Sequence, residues 1–310
     1  AIIGIGALGT VIANNLCRSG IGFLRLIDRD YVELSNLQRQ TLFNEQDVAE
    51  QMPKAVAAYN HLSKVNSGIA LDPVVADINS SNIEELIKDA DLVLDGSDNA
   101  EVRHLMNEAC HKLKIPWVYG AVLGSLGMTM NILYGDRPCF RCFQPHIPAP
   151  GSYPTCSTAG VLNMITGIIA SIESAEAIKI LIGSPDVSKK LSIIDVWENT
   201  AEHLIINQAP DCPICGRGNY ELLGQSKGAY STSLCGRDSI QIVPGIPASI
   251  DFALMAEKLK MAGTVKFNRF MLNFDDGRIA FNLFADGRAI IKNAKDDMAA
   301  KSVYSEYIGL

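Results

Sequence analysis

The chain opens Ala1-Ile2-Ile3-Gly4-Ile5-Gly6-Ala7-Leu8-Gly9, and the reading of this stretch decides the fold. Two isoleucines run into a G-x-G-x-x-G, and an apolar helical pattern follows over 7–19. Glycines at such a junction let a strand turn into a helix and let backbone approach a phosphate, while the helix N-terminus favours negative charge. Gly4, Gly6 and Gly9 are therefore candidate nucleotide-binding positions. The next strand, 23–28, ends at Asp28, 22 residues after Gly6, where an acid can bind ribose hydroxyls. Taken alone, the pattern specifies an adenine nucleotide or dinucleotide, and a nicotinamide-dependent oxidoreductase is its usual reading.

Outward from this start, helical patterns at 53–66, 83–88 and 99–114 alternate with strand patterns at 69–76, 90–95 and 117–123. Such alternation builds an α/β fold, a Rossmann-like, doubly wound, mostly parallel sheet covered by helices. Ser35 with Gln38, Ser81 with Glu84 and Asp98 with Glu101 read as capping boxes. After Trp117 the pattern changes. Apolar runs at 118–123 and 128–134, and at 191–196 and 203–207, read as hairpins, so antiparallel strands continue the sheet. Between them lie a proline-rich loop and an apolar helix over 160–182. That helix carries Glu173, Glu176 and Lys179, which argues against a membrane span. Past Cys215 come a helix at 250–262, three short runs separated by Asp-Gly turns, and a last helix at 296–307. The expected organisation is a nucleotide-binding domain over 1–216 and a small α+β module over 217–310.

The 310 residues are 48% apolar and 20% charged, enough for one large core and a smaller one. A net charge of −7 argues against a nucleic-acid binder. No signal peptide is visible, so the cytoplasm is the expected location. The chain starts without Met, already inside a strand, so further native residues are expected before it. Eight cysteines are too few for a disulfide scaffold. Four of them form two Cys-x-x-Cys pairs, Cys139/Cys142 and Cys212/Cys215, with Pro138 and Pro213 bending the chain at each. Four thiolates in two such pairs are the shell of a structural Zn²⁺, closed rather than catalytic; two redox pairs are the alternative. Cys17 and Cys110 sit in apolar helical patterns as buried thiols, and Cys235 reads as structural. Cys156 precedes Ser157 at an expected helix start, where a thiol is acidified and reactive; an inert exposed cysteine is the duller reading.

The segment from Asp28 to Gln40 ends in a polar turn bearing Asn36 and Arg39, Lys54 opens the next helix, and Asp98 follows the strand at 90–95. In an open sheet the carboxyl ends of strands meet at the ligand crevice. Two cations and a carboxylate there suit a triphosphate with Mg²⁺, and a nicotinamide pocket does not require them. Lys54 opposes the helix dipole, which points to an anionic partner. The alternatives are that Asn36 only shapes its turn, Arg39 is solvated, Asp98 caps a helix and Arg103 is an ion-pair partner.

These residues carry a resemblance. The glycine motif, Asp28 with Ser35-Asn36-Leu37-Gln38-Arg39-Gln40, Lys54, Asp95-Gly96-Ser97-Asp98-Asn99 with Arg103, both cysteine pairs, and Cys156-Ser157-Thr158-Ala159-Gly160 resemble the ThiF/MoeB/HesA adenylyltransferases and the adenylation domains of ubiquitin-activating enzymes. The resemblance implies ATP-dependent adenylation of the C-terminal glycine of a small ubiquitin-like sulfur carrier of ThiS or MoaD type, in thiamine, molybdopterin or related biosynthesis. It implies that Asp28 binds ribose, that Asn36, Arg39 and Lys54 hold phosphates, and that Asp98 holds Mg²⁺ and helps seat the carrier's Gly-Gly tail. It also implies zinc at the four cysteines, a homodimer, and for Cys156 the thioester or persulfide chemistry of some members. Gln51 departs from the glycine usual three residues before the lysine, and the segment that carries a partner-reaching arginine in relatives is not in the sequence. Residues 217–310 resemble, weakly, an extension of thiamine-type members. A non-catalytic docking homologue and a nicotinamide oxidoreductase are the competing functions.

Overall fold

The computed structural model describes residues 1–135, 138–147, 159–225, 230–233, 239–245 and 248–309. Cys156, Cys235 and most of the proline-rich loop lie outside them. The chain divides into two compact units, Ala1–Gln225 and Ser226–Leu310. The stretch past Gly216 belongs with the first unit, because Leu222 joins its core and Glu108 accepts the amides of Leu222 (2.9 Å) and Leu223 (3.0 Å).

In the first unit, strands β1 (Ile2–Ile3), β2 (Phe23–Asp28), β3 (Ala70–Val75), β4 (Val93–Asp95), β5 (Trp117–Leu123), β6 (Leu126–Ile132), β7 (Leu191–Asp195) and β8 (Thr200–Leu204) form one sheet. Among the described residues its order is β3-β2-β1-β4-β5-β6-β7-β8. The first five pair in parallel and the rest antiparallel, as the change of pattern at Trp117 predicts. β1 and β4 are wholly buried, as parallel strands covered on both faces must be. Strand order reverses between β1 and β4, and that reversal opens the crevice of a doubly wound sheet. Among the described residues the unit's helices are α1 (Ala7–Arg18), α2 (Glu45–Ala49), α3 (Lys54–Leu62), α4 (Ile83–Ile87), α5 (Ala100–Leu113), α6 (Phe140–Phe143) and α7 (Asn163–Leu181). α7 packs on α1, β5 and β6.

Local details depart from the sequence reading. Asn99, not Asp98, caps α5, its side chain accepting the amides of Glu101 (2.9 Å) and Val102 (3.3 Å). α4 starts from Asn82 with no side-chain cap, and the turn at Leu34–Asn36 starts from Glu33. The β7–β8 hairpin is tighter than expected. Asp195 Oδ1 accepts the amides of Trp197 and Glu198, Asn199 takes a left-handed φ of 54°, and the return strand begins at Thr200.

The second unit holds an antiparallel sheet of order β11-β12-β13-β14-β10-β9 among the described residues. The strands are β9 (Tyr230–Ser233), β10 (Ser239–Val243), β11 (Thr264–Phe267), β12 (Met271–Asp275), β13 (Ala280–Phe284) and β14 (Ala289–Lys292). Helices α8 (Phe252–Leu259) and α9 (Asp297–Tyr307) share one apolar core with it, built on Leu272, Phe274, Phe281, Leu283 and Ile291. Among the described residues no helix is long and apolar enough to cross a membrane.

Candidate nucleotide and metal sites

At the β1/β4 reversal three glycines interlock. Gly4 has φ 88°, and a Cβ on it would lie 2.6 Å from Gly96 O and 2.8 Å from Ser97 N. A Cβ on Gly9, or on Gly96, would overlap the Gly4 carbonyl oxygen. Backbone bonds from Gly4 N to Ile27 O and from Gly96 N to Ile3 O, both 2.8 Å, fix the two loops to the sheet. Gly4 and Gly9 thus serve backbone packing first. Gly6 has more room, with its nearest neighbours Gln40 Nε2 at 3.8 Å and Gly96 O at 3.9 Å from an added Cβ. Gly6 also caps α1, whose first turn has no acid and no side-chain cap, so its amides suit an anion. Three loops meet around Gly6: the glycine loop, the turn ending at Arg39 and Gln40, and the loop leaving β4.

At the end of β2, Asp28 is buried and pins the glycine loop. Its Oδ2 accepts Ile5 N and its Oδ1 accepts Asp30 N, both at 2.7 Å. Burial pushes its carboxyl up, against the pull of Lys54 and of those amides. Lys54 opens α3, as expected, and is buried, with Nζ 3.4 Å from Asp30 Oδ2. Its backbone amide donates to Asp30 O at 2.8 Å. Asn36 is buried and shapes its turn, accepting the Glu33 amide at 3.4 Å. Arg39 is half-buried and donates from NH1 to Ser35 O at 3.0 Å. Gln40, to which the sequence reading gave no role of its own, is buried beside Gly6 with Oε1 unpartnered.

The loop after β4 has its own brace. Fully buried Asp95 accepts Ser97 N (2.9 Å) and Ser97 Oγ (2.6 Å) on Oδ1, and Arg103 Nε (2.8 Å) on Oδ2. Arg103 also donates to Ser97 O (2.6 Å) and to Gly120 O (2.9 Å) on β5. Arg103 is therefore an ion-pair partner that ties α5, β5 and the loop together. Asp98 projects beyond this brace and is exposed. Burial works against the charges of Arg29 and Arg103, but acids hold them: Asp77, Asp30 and Asp98 for Arg29, Asp95 and Asp98 for Arg103. Asp98 thus sits within electrostatic reach of both strand ends.

The four cysteines of the two pairs come together, their Sγ atoms all within 4.8 Å of one another. Cys139 and Cys212 are 3.6 Å apart, Cys142 and Cys215 3.5 Å. A tetrahedral ion with metal–sulfur bonds of about 2.3 Å needs sulfurs roughly 3.8 Å apart, so the donor set fits a metal ion. Burial and then the neighbouring sulfurs push the Cys139 thiol up to about 11, so thiolates here need a cation among them.

The model of the ThiF family matches residues 1–214. The chain belongs to the ThiF family. It is 38% identical over 311 residues to the sulfur carrier protein ThiS adenylyltransferase of Bacillus subtilis (strain 168), covering 99% of this chain and 92% of that one. It is 36% identical over 218 residues to the molybdopterin-synthase adenylyltransferase of Escherichia coli (strain K12), covering 70% of this chain and 86% of the relative. Among solved structures, E. coli MccB with ATP aligns with a TM-score of 0.61 at 23% identity, over 69% of this chain and 66% of that one, a likeness of fold. Gln51 holds φ 50°, so the turn before Lys54 keeps a left-handed conformation that costs a non-glycine residue about 1–2 kcal/mol.

Proposed function

We propose that this chain is an adenylyltransferase that joins AMP from ATP to the C-terminal glycine of a small ubiquitin-like sulfur carrier of the ThiS type, releasing pyrophosphate. The observation that carries the reading is the whole-chain match to a ThiS adenylyltransferase, which includes the second unit. The molybdopterin-type relative aligns with only 70% of the chain, which favours a ThiS-like over a MoaD-like carrier.

The reaction unites two anions, and a carboxylate needs no general base at neutral pH. What the site must supply is fixed positive charge at the phosphates and correct placement. In this reading the first-turn amides of α1 and Gly6 receive phosphate. Asp28 binds the ribose while anchoring the glycine loop. Arg39 and Lys54 hold the phosphates, and Asn36 keeps the Arg39 turn in shape. Lys54 is released from Asp30 as the anion arrives. Asp98 is the residue that would hold Mg²⁺ and help seat the carrier tail; bound Mg²⁺ neutralises triphosphate charge. Cys139, Cys142, Cys212 and Cys215 hold a structural Zn²⁺. Cys156 is the candidate thiol for a later sulfur-transfer step, which adenylation does not need. The working form is a cytoplasmic homodimer.

The test is carrier-dependent exchange of labelled pyrophosphate into ATP. Arg39→Ala should slow it about 10²-fold, the effect of losing one pre-organised donor. Tight NADH binding without ATP binding would support an oxidoreductase instead. Carrier binding with no exchange would mark a docking protein. Undiminished exchange in both Arg39→Ala and Asp98→Ala would overturn the site assignment.

A further inference from the structure

α7 carries two buried glutamates one turn apart, and their surroundings differ in kind. Glu176 accepts Asn131 Nδ2 (2.5 Å) and the Ser188 amide (3.0 Å), and pairs with Lys179. Glu173 is fully buried, and neither carboxyl oxygen has a hydrogen-bond partner. Its carboxyl is seated on the Cα of Gly120; a Cβ there would overlap Oε1 and lie 2.6 Å from Cδ. Gly120 pairs with Thr129 across β5 and β6, so the two residues face the same side. The Thr129 hydroxyl is likewise buried without a partner.

The charged surroundings of Glu173 are few. Asp95 at the end of β4 and Arg103 on α5 act on it, and Tyr119 on β5 is a titratable neighbour. β6 carries no charged residue. α1 offers only the exposed Arg18 and the Cys17 thiol, which is directed to Leu62 O. One guanidinium therefore faces two buried carboxyl groups, and its Nε is committed to Asp95. The Gly120 carbonyl that Arg103 grips belongs to the residue on which Glu173 rests.

We propose that Glu173 is a positioning residue for the nucleotide site: uncharged, it leaves Arg103 to brace the Asp95–Ser97 turn, and on losing its proton to solvent it draws Arg103 away and loosens the loop that bears Asp98. The link to activity rests on the proposed role of Asp98. Burial, with Asp95 adding to it and Arg103 opposing it, pushes the Glu173 carboxyl well up, and a fully buried carboxyl with neither oxygen hydrogen-bonded favours the uncharged form. The folded chain then holds a proton that the unfolded chain releases in the ordinary glutamate range. Stability from this group is complete below that range and declines as pH rises toward the folded value.

Two measurements test this on the full chain. The first is pyrophosphate exchange against pH for wild type, Glu173→Gln and Glu173→Met. Wild type should lose about tenfold per pH unit above a single-proton transition, while both variants match wild type below that transition and lack that limb. The second is amide hydrogen exchange over 96–99 at matched pH, with no carrier present. Wild type should exchange at least several-fold faster than Glu173→Gln above the transition and at the same rate below it. The second measurement needs no turnover, so a mistaken carrier would silence the first and leave it readable. Identical pH profiles and identical loop exchange in wild type and Glu173→Gln would overturn the proposal. Loss of activity below the transition in both uncharged variants would do so too.

Discussion

Replacing Gly9 by alanine sets two physical effects against each other. Gly9 lies in the first turn of α1, and a helix interior gains about 1 kcal/mol from Gly→Ala on propensity alone. Tertiary packing opposes that gain. The new methyl would overlap the Gly4 carbonyl oxygen and sit 2.9 Å from the Gly4 carbonyl carbon, with Ile2 Cγ2 at 3.6 Å. Carbon atoms rest about 3.5–4.0 Å apart, so one partner has to move by something near 1 Å. The obstacle is backbone rather than a side chain that can swing aside. Gly4 N is bonded to Ile27 O, and Gly4 is backed by Gly96. Overpacking of this kind costs roughly 1–3 kcal/mol, and a pinned backbone belongs at the upper end. The net expectation is destabilisation by about 2 kcal/mol, opposite in sign to propensity. A shift of about 1 Å at the turn proposed to receive phosphate should also cost on the order of 10²-fold in pyrophosphate exchange. Urea unfolding followed by far-UV circular dichroism gives the first quantity. Gly22→Ala is the control, since nothing lies within 4 Å of its added methyl. A Gly9→Ala protein that unfolds at the wild-type midpoint or above, with full activity, would refute the interlocked geometry.

Arg103→Leu should destabilise the first unit by about 3–5 kcal/mol, because it strands the fully buried Asp95 carboxylate. Adding Asp95→Asn should recover part of that loss in the same urea experiment, and no recovery would remove Asp95 as the reason. Metal analysis should find about one Zn²⁺ per chain, the complement of one closed Cys₄ shell. Chelation or Cys212→Ser should lower the thermal midpoint of the first unit; fully folded, equally stable metal-free protein would contradict a structural ion.

Much of the site was legible because its parts are spelled locally. The G-x-G-x-x-G and Asp28 mark a strand–turn–helix and the end of the next strand, and the alternation of elements sets the parallel sheet that joins them. The two Cys-x-x-Cys pairs were readable for the same reason: each supplies two ligands within one turn, and soft donors have few other uses in such a pattern. Helix starts were less legible. Asp98 and Asn99 are both good caps by composition, and only the path of the chain out of β4 selected Asn99 and left Asp98 exposed.

Sequence alone determined the class of fold, the candidate nucleotide turn, the four cysteines that could hold a metal ion and the family resemblance, since each depends on residue type at short spacing. Tertiary structure decided the rest. Gly96 must lack a side chain because β4 brings it against Gly4, and Gln40 matters because its turn lands beside Gly6. Arg103 serves as a brace because the turn bearing Asp95 and Ser97 and the strand bearing Gly120 converge at its guanidinium. Glu173 served in the sequence only to argue against a membrane span, and its burial on Gly120 follows from the packing of α7 on β5. Burial and close approach are set by which distant strands pair, and no local spacing in a single chain encodes that.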